Sequence, residues 1–317
     1  MNLYPNVYQL GSLYGRRNLF QYLFVGDVVV LVDTGIAETP EKVIFPYFER
    51  LKLPLDKLSL VITTHPDLDH QGGNHAIKRA VPQSRLACGE ADREMVEDPR
   101  TLFQRRYNFA KAEHDIGFDG DEPWPEAGKR QPVDQTFKGG EKILVSSGWE
   151  LDVLHVPGHS HGHLAVYDAK HRTAFVSDAL HGRGCPNADG TMGIPVTYYL
   201  VDTYLSTLCY FEKLRIDVLY SGHWPTMRGE QVSDFIAESR RAVEFIDGAL
   251  RRDLSRHPEG MSLKELVNSA AAAVGEWPND SWFLAMFPVK GHLDRMVDKG
   301  EARLVRKHGS TLWQLIR

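Results

Sequence analysis

The chain is poor in cysteine. It has three among 317 residues, Cys88, Cys185 and Cys209, odd in number and far apart. That spacing excludes a disulfide framework, and the lack of a CxxC pair argues against cysteine-held zinc or dithiol redox chemistry. No apolar run reaches the roughly 20 residues of a membrane-spanning helix. The N-terminal stretch Met1-Asn2-Leu3-Tyr4-Pro5 has no basic segment followed by an apolar one. No secretory leader is therefore expected, and a reducing cytoplasm is the expected compartment. An excess of positive charge is missing too. The formal net charge of -5 gives no general attraction to nucleic acid and leaves room only for a local basic patch. Short-period repeats are also absent.

What is present is an ordinary globular composition, 42% hydrophobic and 25% charged, in a chain long enough for one large domain and a small appendage. Residues 18–25 and 28–33 read as two strands around the Gly26-Asp27 turn, closed by Asp33-Thr34-Gly35. The spacing of Val43, Ile44, Tyr47 and Phe48 predicts a helix over 40–51, with Pro40 in its first turn. Further strands are predicted at 58–63, 85–88, 142–145, 151–156, 163–167, 173–177 and 218–223, and helices at 74–80, 203–214 and 229–250. Residues 91–138, including Phe118-Asp119-Gly120-Asp121-Glu122-Pro123-Trp124-Pro125, are rich in charge, proline and glycine. They read as an insertion that begins helical and ends as a loop, either the wall or lid of a site or a solvated excursion. Beyond 250, Ser262 is a candidate N-cap for a helix over 262–274. A second helix over 288–299 ends at Gly300, and His308-Gly309 joins two strand-like runs. Helix, helix and hairpin resemble a winged helix. The expected division is thus a catalytic domain over 1–250 and a small C-terminal domain over 251–317.

The densest chemistry lies in His65-Pro66-Asp67-Leu68-Asp69-His70, followed by Gln71-Gly72-Gly73-Asn74. Four metal-capable side chains fall within six residues, directly after an apolar strand. Three more ligand-type residues, His159, Asp178 and His223, each follow another strand-like segment. Strand ends are where a rigid scaffold can hold ligands in place. A lone histidine is usually a core or surface residue; the joint pattern points to a metal site.

These motifs resemble the metallo-β-lactamase superfamily over roughly residues 5–250. The correspondence takes in Asp33-Thr34-Gly35, the His65–His70 run with Gly72-Gly73-Asn74, the segment Pro157-Gly158-His159-Ser160 with Gly162-His163, Asp178, and His223. The resemblance implies an α/β fold of the α+β kind, an αββα sandwich with its active site at one edge and the winged-helix-like appendage outside it. It also implies two divalent metal ions, zinc foremost, with His65, Asp67 and His159 on one, Asp69, His70 and His223 on the other, and Asp178 between them. Asp33 would support the ligand loops from behind. The chain departs from the usual HxHxDH run at Asp67, where the family commonly has a second histidine. An extra carboxylate lowers the Lewis acidity of its ion and favours harder cations, which admits iron or manganese.

The function implied is a metal-dependent hydrolase that uses a metal-bound hydroxide on a small-molecule ester, thioester or lactone. Asp69 is the expected catalytic proton carrier. His181, three residues past Asp178, is a candidate substrate contact, set against a plain surface-loop histidine. The alternative is a phosphodiesterase or ribonuclease of the same superfamily, for which the basic residues of the tail would contact phosphates. β-Lactam hydrolysis and iron-based redox chemistry rank behind these. The expected partner is a small-molecule substrate, with nucleic acid as the second candidate, no membrane, and a homodimer left open.

Overall fold

Strands that are apolar on both faces need cover on both sides, and the early strands meet that condition. The computed structural model describes residues 1–111, 118, 122–278, 281–307 and 309–316. Asp119, Gly120 and Asp121 of the expected loop, His308 of the expected turn and Arg317 of the basic tail lie outside them. One sheet orders its seven strands as they occur in the chain: β1 (Asn2–Tyr4), β2 (Val7–Tyr14), β3 (Arg17–Val25), β4 (Val29–Val32), β5 (Leu58–Thr63), β6 (Arg85–Gly89) and β7 (Gln135–Phe137). It is antiparallel up to β4 and parallel beyond. The second sheet is built from β8 (Lys142–Ser146), β9 (Trp149–His155), β10 (Leu164–Asp168) and β11 (Thr173–Ser177). After a small pair, β12 (Cys185–Pro186) and β13 (Met192–Ile194), it is completed by β14 (Val218–Ser221) and β15 (Met227–Arg228). Its spatial order is β15-β14-β11-β10-β9-β8, with β11 and β14 parallel.

Side-chain alternation sorts the layers. Val30 and Val32 of β4 join Phe24, Leu60, Phe175 and Tyr220 between the two sheets. Val29 and Leu31 point the other way, against Ile44, Phe48 and Ile77 of the outer helices. In β11, Phe175 faces the other sheet while Ala174 and Val176 face the layer holding Tyr204, Leu208 and Val243. The result is an αββα sandwich.

The expected 40–51 helix forms as a wide turn over Pro40–Ile44 running into a helix over Phe45–Arg50. The helices over Val201–Lys213 and Glu230–Arg256 lie close to their predicted bounds, the latter running six residues past its predicted end and continuous across position 250. Ser262 caps the Leu263–Val274 helix in a reciprocal box with Glu265. A helix over Met286–Asp298 and a three-stranded sheet follow, in which β18 (Ser310–Leu315) lies between β16 (Met261–Ser262) and β17 (Ala302–Lys307). This region has no separate core: Leu266, Met286, Leu293 and Trp313 pack in the same cluster as Tyr204 and Val243. Several of its basic residues are neutralised internally, Lys290 by Asp294 and both Arg295 and Lys299 by Asp202. Among the described residues, no helix is long and apolar enough to cross a membrane.

Candidate metal centre

The ligand-type residues converge because they follow the C-terminal ends of neighbouring strands. His65 to His70 leave β5, His159 follows β9, Asp178 follows β11 and His223 follows β14. Their ligand atoms fall into overlapping groups: His65 with Asp67 and His159; His65 with His70 and Asp178; Asp69 with His70 and His223; and His159 with Asp178 and His181. Every histidine among them is buried.

Two backbone positions are strained to make this possible. Asp33 (φ 62°) and Ser177 (φ 48°), at the ends of β4 and β11, adopt the left-handed conformation that non-glycine residues avoid. Both turn their side chains under His70. Asp33 Oδ2 accepts from His70 Nδ1 at 2.9 Å and from Ser177 Oγ at 2.9 Å. Its Oδ1 accepts from the Thr64 amide at 2.8 Å and from the Thr64 hydroxyl at 2.9 Å. Asp33 therefore holds both the His65 loop and the His70 ring.

These contacts decide where the ring protons sit. His70 Nδ1 carries its proton toward Asp33, so Nε2 presents a lone pair. His223 Nδ1 donates to the Asn18 carbonyl at 2.6 Å, so its Nε2 does the same. The two Nε2 atoms face each other at 3.2 Å. Two lone pairs so close repel unless a cation lies between them. Asp69 Oδ2 and Asp178 Oδ2 are each 3.4 Å from His223 Nε2, and Asp178 Oδ1 is buried without a partner. Burial works against charge on His70, yet Asp178, Asp33 and Asp69 outweigh it and push its pKa up to about 10, so that without a metal a second proton takes Nε2, in the place between the two rings that a metal would take. Such a cluster attracts a cation, and its donors fit a divalent metal. Gly222 leaves the room: a Cβ there would lie 2.7 Å from both Asp178 Oδ1 and His70 Cε1.

The other half differs. His65 Nδ1 lies 3.0 Å from the Thr64 hydroxyl, which donates to Asp33, and its Nε2 is buried without a partner. Asp67 is gripped by Arg106, a residue of the insertion. Burial disfavours the Asp67 charge, but Arg106, then His159 and His65, hold its carboxyl well below the usual range. The next residue of the same turn, Tyr107, accepts from the Leu68 amide at 2.9 Å. Nothing in the pattern Gln104-Arg105-Arg106-Tyr107 marks either residue; only the folded insertion brings them to the site.

Above the ligands lies a cavity of about 450 Å³, within the ~300–1,000 Å³ range of small-molecule sites. Asp67, Asp69, Asp178 and His223 line its floor, and Phe118, Trp124, Phe283 and Phe287 its apolar wall. The insertion is thus a wall of the cavity. Two arginines line it as well. Arg16 pairs with Asp189 at 2.9 Å. Arg17 leaves its Nε buried without a partner, its guanidinium 5.4 Å from the Tyr14 ring. His181 is buried, its Nε2 3.1 Å from the Thr197 hydroxyl, and Thr197 rather than His181 lines the cavity. His163 stacks behind His65 at 4.6 Å.

The sequence signature described as the Metallo-beta-lactamase superfamily matches residues 15–223. The chain belongs to the metallo-β-lactamase superfamily. The match runs from the β2–β3 turn to His223, so it takes in every ligand-type residue described above. Among superfamily structures, a beta-lactamase domain protein from Burkholderia ambifaria superposes with a TM-score of 0.78 at 17% identity, covering 100% of this chain and 94% of that one. A metallo-beta-lactamase family protein from Thermus thermophilus superposes with 0.71 at 19% identity, covering 99% and 100%. At such identities the likeness is one of fold, and it extends over the C-terminal region. A hydroxyacylglutathione hydrolase from Aeromonas hydrophila is 30% identical over 156 residues, 49% of this chain and 44% of that protein. One from a Synechococcus strain is 26% identical over 181 residues, 56% of this chain and 54% of that protein. The chain thus spans about half the length of these curated relatives.

Proposed function

We propose that this protein is a metal-dependent hydrolase of a small-molecule thioester, with esters and lactones as related substrates. The observation that carries the reading is the set of paired lone pairs and carboxylates at Asp69, His70, Asp178 and His223 on the floor of a cavity with apolar walls. The hydroxyacylglutathione hydrolases among its relatives support the thioester over the ester. A bound divalent metal, zinc foremost, supplies water acidified toward neutrality and polarisation of the scissile carbonyl. The chain supplies the rest. Asp69 lies beside His223 and reaches the cavity, so it orients the attacking water and takes its proton on Oδ2. Phe118, Trp124 and Phe283 exclude bulk water from the acyl group. Arg17, a cation with an unpartnered Nε, receives an anionic group on the substrate. Asp33 keeps His70 in the ligating tautomer, and His181 acts through Thr197.

A panel of thioesters, esters, lactones and phosphodiesters tests the reading, run on protein stripped of metal and then reloaded. Thioester hydrolysis is expected to vanish on stripping and to return with a divalent ion. In Arg17→Met, KM for an anionic thioester should rise about tenfold, the worth of a charged hydrogen bond, while a neutral thioester is spared. Cleavage of phosphodiesters alone would overturn the proposal.

A further inference from the structure

The resemblance implied two ions, but the first ligand set is already matched to a side-chain cation. Arg106 fills that set. Its Nε donates to Asp67 Oδ1 and its Nη2 to Asp67 Oδ2 at 2.9 Å, and Nη2 also lies 2.8 Å from His159 Nε2, which is itself 2.8 Å from Asp67 Oδ2. Its Nη1 donates to the His159 carbonyl at 2.8 Å. His159 Nε2 is engaged in either tautomer, accepting from the guanidinium or donating its proton to Asp67, so its lone pair is not free for a metal ion. With His159 committed, the set keeps only His65 Nε2 and what remains of Asp67 Oδ2, 3.6 Å apart. Among the described residues, no arginine or lysine pairs with the Asp69–His70–Asp178–His223 set.

The guanidinium is also fixed in place. Arg106 is 7% exposed, it rises from the turn over Phe103–Tyr107, and the Phe287 ring covers it at 5.2 Å. It keeps its charge at any working pH. Asp67, the departure from the usual run, thus has a partner that a histidine at that position would lack.

We propose that Arg106 is the resident cation of the His65–Asp67–His159 set, so that this chain holds a single tightly bound metal ion, at Asp69, His70, Asp178 and His223. The proposal rests on the hydrolase reading only for the identity of the ligands, and ion counting reads it without turnover. The test loads the metal-free chain with Zn²⁺, removes excess, and counts ions per chain by native mass spectrometry and elemental analysis. Competition with a chromophoric chelator then ranks the affinities.

The wild type should keep one ion. Any second should bind about 10- to 100-fold more weakly, the range over which partners of metal ligands shift affinity. Arg106→Gln should keep two. Should that variant fail to fold, His65→Ala serves instead: it should keep the single ion, whereas His223→Ala should lose it. Two equally tight ions in the wild type would overturn the proposal. So would a count of one in folded Arg106→Gln, or loss of the ion in His65→Ala. A chain that counts one ion yet cleaves nothing would sink the hydrolase reading alone. An active hydrolase with two tight ions would sink this one alone.

Discussion

In the proposed reaction Asp69 carries the proton, and the reason is local. Its backbone lies in the helical turn over Leu68–Gln71, whose position is held by Tyr107 on the Leu68 amide. Its side chain faces the cavity with Oδ2 3.4 Å from His223 Nε2 and Oδ1 3.9 Å from His70 Nε2. Asp67, two residues earlier, is committed to Arg106. Adjacent carboxylates of one short run are thus assigned different tasks by their neighbours. Asp69→Asn keeps an oxygen near His223 but removes the proton acceptor. Its kcat should fall by at least ~100-fold, the lower end of general acid–base contributions. Measuring kcat and metal content on the same sample checks this; full turnover at full metal content would remove Asp69 from the proton path.

At the scale of elements, the helices that seal the sandwich carry a titrating contact of their own. His292, on the Met286–Asp298 helix, is fully buried between Tyr198, whose hydroxyl lies 3.0 Å from Nε2, and Asp247 of the Glu230–Arg256 helix, 3.4 Å from Nδ1. Burial lowers its pKa below the ordinary 6.5, and Asp247 only partly opposes this. The folded chain therefore binds this proton less readily than the unfolded one. The contribution to stability is complete above about 6.5 and is lost as pH falls below it, by at most about 1.4 kcal/mol per pH unit. Asp247 is shifted down as well, but it titrates below the window used here. Thermal unfolding at pH 7.5 and 5.5 should show a smaller loss in His292→Asn than in the wild type. Equal losses in the two proteins would show that His292 does not carry this dependence.

Across the whole molecule, the C-terminal region is a structural part of the site. Phe283 packs on Phe118 at 5.4 Å, and Phe287 lies between Phe109 and the Arg106 guanidinium. Phe118, Phe283 and Phe287 wall the cavity, and the C-terminal helices share a core with the second sheet. Such a molecule should unfold as one unit. In native-state hydrogen exchange, amides of the Leu263–Val274 helix should be protected to nearly the same free energy as those of β10 and β11. A tail that opens several kcal/mol earlier would mark it as a separate body. The enclosure also suits a small substrate. The nucleic-acid reading leaned on basic residues of the tail, of which Lys290, Arg295 and Lys299 are paired with carboxylates.

The strands and their ligand-bearing ends were legible along the chain because both are local properties. Apolar alternation marks a strand wherever it packs, and His65, Asp69, His70, His159, Asp178 and His223 each follow such a run. Ser262 announced its helix by a capping rule that spans four residues. Arg106 carried no such mark. It lies 39 residues beyond Asp67, in a segment whose composition reads equally as wall or surface. Its role comes from a contact that exists only once the insertion folds back over the loop after β5 and Phe287 closes from the other end of the chain. The residue types at the metal centre are therefore a matter of local sequence. Which lone pairs stay free for a metal is decided by packing, because a donor from a distant segment can claim a ligand before any ion arrives.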